Sequence, residues 1–529
     1  MPLLLAAVWL VSIALVWPSG EFPLNDDWDY AKSARSLLET GRLTLSPEAR
    51  VTLVAQAAWG ALFALPFGFS FAALRASTLV AALGGTLATY GLARTLGGSR
   101  SAALVAALTV ALSPIWFVLS FTFMTDVPFS SVVALGLLAG SRFLLHRGFA
   151  SLVSVSVASL VAVLIRPTGL ALPAAFLVAS LLTCRRLRDA PAAGLPIVAS
   201  LLALALWQVW ALAGGLGGLG NIQSGELSAA LAGGPVLVAR EAARNSGVAL
   251  LYLGLFSLPL VIAVAPEAVD GRRRGVGAVA IGLASVIVGL ALVSSGTTMP
   301  LSSNVLYDVG LGPMTLRDAF FFGPSVGSTA PSYWWALVTI ASCAAAAMLL
   351  LTSSAGAARA HRDGKTRVVV FLVLTGGFSF APLAVAGFLD RYLLVLLPPT
   401  LALAAAGTVI PRRWLVSAAG VVLLGFWAFS VSGTRDYFGW NRARWAALDR
   451  LVTRGIPPAW IDGGFEFNGW LTYDPTYRGN TARSWWWVDD DRFRAAFGPM
   501  AGYQEVDREP YRRLLPPGDG AIVILERLQ

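Results

Sequence analysis

Apolar runs of about 20 residues, the length that carries a helix across a bilayer, recur along this chain up to residue 431. They predict spans at about 2–18, 72–93, 101–119, 127–145, 149–165, 168–183, 192–213, 246–266, 275–295, 333–352, 368–388, 392–410 and 414–431, or about thirteen in all. Gln56 and Pro66 interrupt a further apolar segment at 51–69, which reads as a re-entrant or interfacial helix. Of 529 residues 56% are hydrophobic and 13% charged, so lipid must be the solvent for most of the surface. Met1–Trp17 lacks the basic start of a signal peptide and reads as an uncleaved first span.

The basic residues give the chain a direction. Every second connection is basic: Arg94 and Arg100; Arg142, His146 and Arg147; Arg185, Arg186 and Arg188; Arg272 to Arg274; Arg359, Arg362, Lys365 and Arg367; Arg412 and Arg413. These connections hold roughly 16 Lys/Arg against about 4 acids, which places them and the N-terminus in the cytoplasm. The loops 19–50, 120–126, 214–245 and 296–332, and the tail after 431, then face outward. The tail carries 13 Arg and 13 acidic residues, so the net charge of +10 belongs to the membrane part. The sequence therefore predicts an all-α polytopic membrane domain at 1–431, with amphipathic helices in its first outer loop (19–71), and a small α/β extracytoplasmic domain at 432–529. In the tail, 459–461 and 521–525 are candidate strands and Trp440–Leu451 has helical spacing. The two cysteines, Cys184 and Cys343, lie in or beside apolar runs, which excludes a disulfide framework and a CxxC metal site.

Both histidines, His146 and His361, fall in the cytoplasmic connections. Base chemistry on the outer face must therefore use a carboxylate. The first outer loop offers Asp26, Asp27 and Asp29 around Trp28, and the turn at 120–126 offers Asp126 ahead of Pro128. Clustered carboxylates suit proton abstraction or metal binding. An aspartate ahead of a helix is also an ordinary helix cap. Arg166, Arg391 and Tyr392 face outward too, and a guanidinium fork suits phosphate, though an interfacial arginine also simply snorkels. The tail aromatics Trp470, Tyr473, Tyr477 and Trp485–Trp487 suit either sugar stacking or the core of a small domain.

Asp26-Asp27-Trp28-Asp29-Tyr30-Ala31 running on to Leu38-Glu39-Thr40-Gly41, Thr125-Asp126-Val127-Pro128, Arg166 to Pro173, and Arg391-Tyr392 before Pro398-Pro399 together resemble the GT-C superfamily of membrane glycosyltransferases. The pattern is most similar to glycosyltransferase family 39, the protein O-mannosyltransferase and lipid A aminoarabinose transferase group. Asp27 departs from it, standing where the group usually carries Glu. The resemblance implies a cell-envelope enzyme of the cytoplasmic (inner) membrane that moves a sugar from a polyprenyl-phosphate donor to a hydroxyl on a lipid, glycan or protein acceptor. Asp26 would be the general base in an inverting displacement, and Asp27 and Asp126 its catalytic partners. Arg166, Arg391 and Tyr392 would hold the donor phosphate. Asp27 and Asp29 spell the Asp-x-Asp pattern that holds a divalent cation, Mg²⁺ or Mn²⁺, in other glycosyltransferases. The competing readings are a transporter or flippase of lipid-linked sugars and a non-catalytic membrane assembly protein of the same fold. Acids at the outer ends of spans rather than mid-span favour the enzyme.

Overall fold

The computed structural model describes residues 1–182, 190–216, 224–268, 272–302, 305, 330–408, 413–477 and 486–528. Cys184, Arg185, Arg186, Arg188, Arg412, Trp485, the side chains of Arg272 to Arg274 and most of the loop 296–332 lie outside the described residues.

Among the described residues, eight helices are long and apolar enough to cross a membrane: Phe71–Thr95, Asp126–His146, Ala192–Ala213, Pro235–Ala265, Val276–Ser294, Ser332–Arg362, Thr366–Ala386 and Trp414–Thr453. Arg100–Leu112 and Pro114–Ser120 make a ninth if counted as one span bent by 62°. The bend falls at Ser113-Pro114, where the ring removes a backbone donor and forces the preceding residue out of the helical region. Shorter apolar helices at Pro2–Val16, Phe149–Ile165 and Pro167–Leu181 occupy three further expected spans. The expected span 392–410 is a 3-10 turn, Asp390–Leu396, followed by the short helix Leu397–Ala404. The count of thirteen is therefore not established, because the remaining expected spans are short or broken. The segment expected to be re-entrant forms the short helix Val54–Ala64.

Several long helices leave their apolar side chains uncovered. Val279 and Ile287 are 63% and 65% exposed in one of them. An apolar face of this kind is stable only against lipid.

The last long helix, Arg413–Thr453, runs without a break through residue 431, where the sequence predicts the polar domain to begin. Beyond it lie the helix Phe465–Thr472 and four strands: β1 (Ile461–Asp462), β2 (Phe493–Ala496), β3 (Tyr503–Leu514) and β4 (Pro517–Arg527). Their order is β1-β2-β4-β3, with β1 parallel to β2 and the other pairs antiparallel. One hydrophobic cluster extends from Trp9 in the first helix to Ile524 in β4. The tail is thus packed against one end of the membrane part. Among its aromatic residues Trp470 stacks on Phe69, and the buried Trp487 meets Trp28 and Tyr473.

Candidate active site

The first outer loop turns into the helix Asp27–Thr40 at Asp26. The backbone carbonyl of Asp26 accepts from the Asp29 and Tyr30 amides, but its side chain caps nothing in the helix. The carboxylate instead reaches 3.2 Å to Nη2 of Arg391, in the 3-10 turn between two late helices. An N-cap aspartate usually spends its side chain on the helix's own free amides. Here that side chain is released to the site.

A second pair lies beside it. Thr125 stands at the N-cap position of the helix Asp126–His146 without a side-chain capping bond, and Arg166 follows the helix Phe149–Ile165 in extended backbone. The Arg166 guanidinium forks, with Nε donating to Thr125 Oγ1 at 2.8 Å and Nη2 lying 2.8 Å from Asp126 Oδ1. The Tyr392 ring lies between the two arginines, 5.5 Å from the Arg166 guanidinium and 5.6 Å from that of Arg391. Arg391 feels the charge of both Asp26 and Asp126, and its buried Nε has no hydrogen-bond partner among the described residues.

These groups open on a cavity of about 450 Å³. Asp26, Asp29, Asp126, Arg166, Arg391 and Tyr392 all line it. Residues 26, 126, 166 and 391, singled out separately in the sequence, are thus brought together from four elements. Glu48, Arg50 and Phe465 also line it and were not singled out, and so does Trp486, one of the tail aromatics offered for sugar stacking. The extra positive charge of Arg50 in an outward loop was visible in the sequence. The tail's share was not, because nothing local in a sequence pairs residue 465 with residue 28.

Asp27 does not line the cavity. Its carboxyl is fully buried and accepts the Phe123 amide through Oδ1 at 2.8 Å, with Arg75 on its other side. Burial pushes it up to about 8, so it is largely protonated at neutral pH. Asp27, expected among the catalytic residues, thus stands behind the cavity wall. Residues two apart on a helix point roughly 200° apart, so Asp27 and Asp29 do not converge on one ion. The Asp29 carboxylate is itself engaged by the Ser46 hydroxyl at 2.5 Å, and burial pushes it up to about 7. Among the described residues no group of three or more potential ligands comes together. The carboxylates Asp26 and Asp126 face guanidinium groups, which compete with a cation for the same oxygens. The residues present therefore do not fit the expected divalent site.

Residues 54–212 match the sequence model of the family described as dolichyl-phosphate-mannose-protein mannosyltransferase. Over those residues the match agrees with the resemblance to membrane glycosyltransferases. No curated protein matches the chain. Similar solved structures include ArnT from Cupriavidus metallidurans in the apo state, 14% identical, covering 99% of this chain and 97% of its own, with a TM-score of 0.42. ArnT bound to undecaprenyl phosphate is 15% identical over 98% of this chain and 96% of its own, also with a TM-score of 0.42. The oligosaccharyltransferase AglB from Archaeoglobus fulgidus, in complex with an inhibitory peptide and a dolichol-phosphate, is 16% identical, covering 90% of this chain and 60% of its own, with a TM-score of 0.43.

Proposed function

We propose that this chain transfers a sugar from a polyprenyl-phosphate donor to an acceptor hydroxyl, at the outer face of the cytoplasmic membrane. The observation that carries the reading is a carboxylate freed from helix capping and held beside two arginines in one cavity. The acceptor oxygen attacks the anomeric carbon, and its proton passes to Asp26. The bond from that carbon to the phosphate oxygen breaks, and the lipid phosphate leaves with the electron pair. A single displacement of this kind inverts the anomeric centre, as in base-assisted inverting glycosidases. Arg391 and Arg166 neutralise the leaving phosphate, with the Tyr392 ring holding their planes. Asp126 keeps Arg166 in place. A donor phosphate that draws Arg391 away releases the Asp26 carboxylate to accept from the acceptor hydroxyl, which couples donor binding to readiness for the acceptor. No step is routed through a metal ion. The basic alternate connections support a cytoplasmic N-terminus and an outward tail.

The test is chemical. Purified protein, given a panel of polyprenyl-phosphate sugars and lipid, glycan or peptide acceptors from cell envelopes, is expected to release polyprenyl phosphate and form a product of inverted configuration. A product of retained configuration contradicts the single displacement. Transbilayer movement of the donor without release contradicts the transferase.

A further inference from the structure

The acidic loop is gripped from behind by the C-terminal tail. Asn25, next to Asp26, sits in the left-handed region with φ 57°, and its amide donates to Glu466 Oε1 at 3.0 Å. Glu466 Oε2 accepts from Arg444 Nη2 at 3.0 Å, and that nitrogen also donates to Asn441 Oδ1 at 2.9 Å. Asn25, Glu466, Arg444 and Asn441 are all buried. The grip continues one helical turn on. Lys32 Nζ donates to the Gly469 carbonyl at 2.7 Å and lies 4.9 Å from the Trp28 ring and 5.4 Å from that of Tyr473. Trp28 packs against Gly469 so closely that an added Cβ would stand 2.4 Å from the indole.

We infer that Glu466 is a positioning residue for Asp26, and that the tail belongs to the catalytic apparatus through it. The inference rests on the transferase reading above. The Asp26 side chain makes no bond to its own helix, so its aim depends on the backbone at 25 and 26. That backbone is in an uncommon conformation, and the hydrogen bond immediately ahead of Asp26 ends on a carboxylate. A carboxylate oxygen is a firmer acceptor for an amide than a neutral carbonyl, and the Arg444 guanidinium holds that carboxylate in place from its other oxygen at 3.0 Å. Displacements of about 1 Å in a reacting group cost up to ~100-fold in rate. A tail that only stabilised the fold would need no charge at this point.

The experiment replaces the buried pair with apolar residues, Glu466→Met with Arg444→Met, because such exchanges are often neutral for stability. The probes are undecaprenyl phosphate for affinity and the polyprenyl-phosphate sugar panel for turnover. The double variant is expected to fold, to bind undecaprenyl phosphate like the wild type, and to turn over roughly 10- to 100-fold more slowly. Adding Asp26→Asn should then cost nothing beyond what Asp26→Asn costs alone, since the two act through one group. Glu466→Gln keeps an acceptor oxygen for the Asn25 amide but loses the carboxylate, and should turn over at a rate between those of the double variant and the wild type. Wild-type turnover in the double variant, or losses that multiply with Asp26→Asn, overturns the inference while leaving the transferase standing. Full turnover by Asp26→Asn alone overturns the transferase base instead. If the double variant does not fold, Gly469→Ala decides by the same split. It should slow turnover at unchanged affinity, and equal losses of both overturn the positioning role.

Discussion

Carboxylate–arginine neighbours occur in two settings where the tail meets the membrane part. Asp26 with Arg391 and Asp126 with Arg166 open on the cavity, whereas Glu466 with Arg444, and Asp27 beside Arg75, are sealed behind it. The residue types are the same and the surroundings differ. A pair at a cavity wall can exchange partners with an incoming anion. A pair closed off from water can only hold its neighbours, and is expensive to break. Arg75 shows the second use plainly: buried in its helix, it donates to the Gly20 carbonyl at 2.6 Å and to that of Phe22, fixing the chain that leads into the acidic loop.

The sharpest way to break this comparison is to treat the two kinds of pair alike. Arg444→Met alone leaves the buried Glu466 without its arginine, and should destabilise the protein by about 3–5 kcal/mol, read as a large fall in thermal midpoint in detergent. Arg391→Met should leave the thermal midpoint nearly unchanged and reduce turnover by about 100-fold or more, the scale of a lost charge-stabilising donor. If Arg391→Met unfolds the protein while Arg444→Met spares it, the two settings have been assigned the wrong way round.

Asp27 supplies a subtler test. Its carboxyl rises from 3.8 to about 8 on burial, so between those values the folded chain keeps a proton that the unfolded chain gives up. Stability from this group is complete below pH 4 and is lost as pH rises through about 8. Asp29, raised to about 7, adds in the same direction. Thermal midpoints should therefore decline from pH 6 to pH 9, and Asp27→Asn should flatten most of that decline. An unchanged slope would mean that Asp27 is ionised in the folded chain. The smallest effect belongs to the tail surface, where Arg450 pairs with Asp507 at 3.0 Å in partial contact with water. Asp507→Asn should cost roughly 0–1 kcal/mol.

Much of the site was legible because side of the membrane is legible. Alternating basic connections assign Asp26, Asp126, Arg166 and Arg391 to one face, and groups confined to one face of a helical bundle have few places to go. The difference between Asp26 and Asp27 was not legible. It depends on where the helix starts, and one residue of phase turns a carboxylate from the cavity into the core. The 3-10 turn that presents Arg391 was likewise hidden, since hydropathy reads 392–410 as one apolar run and does not see a backbone broken at its outer end. The tail's wall was least accessible of all, because Trp28 meets Phe465 and Trp487 only after the chain has folded back across the whole membrane domain.

The central claim is that Asp26 takes the acceptor's proton. Its most direct test compares release of polyprenyl phosphate from a polyprenyl-phosphate sugar by the wild type and by Asp26→Asn, which keeps the shape and removes the base. The account predicts a loss of at least ~100-fold in turnover with undecaprenyl phosphate affinity retained. Turnover within a few-fold of the wild type would contradict it.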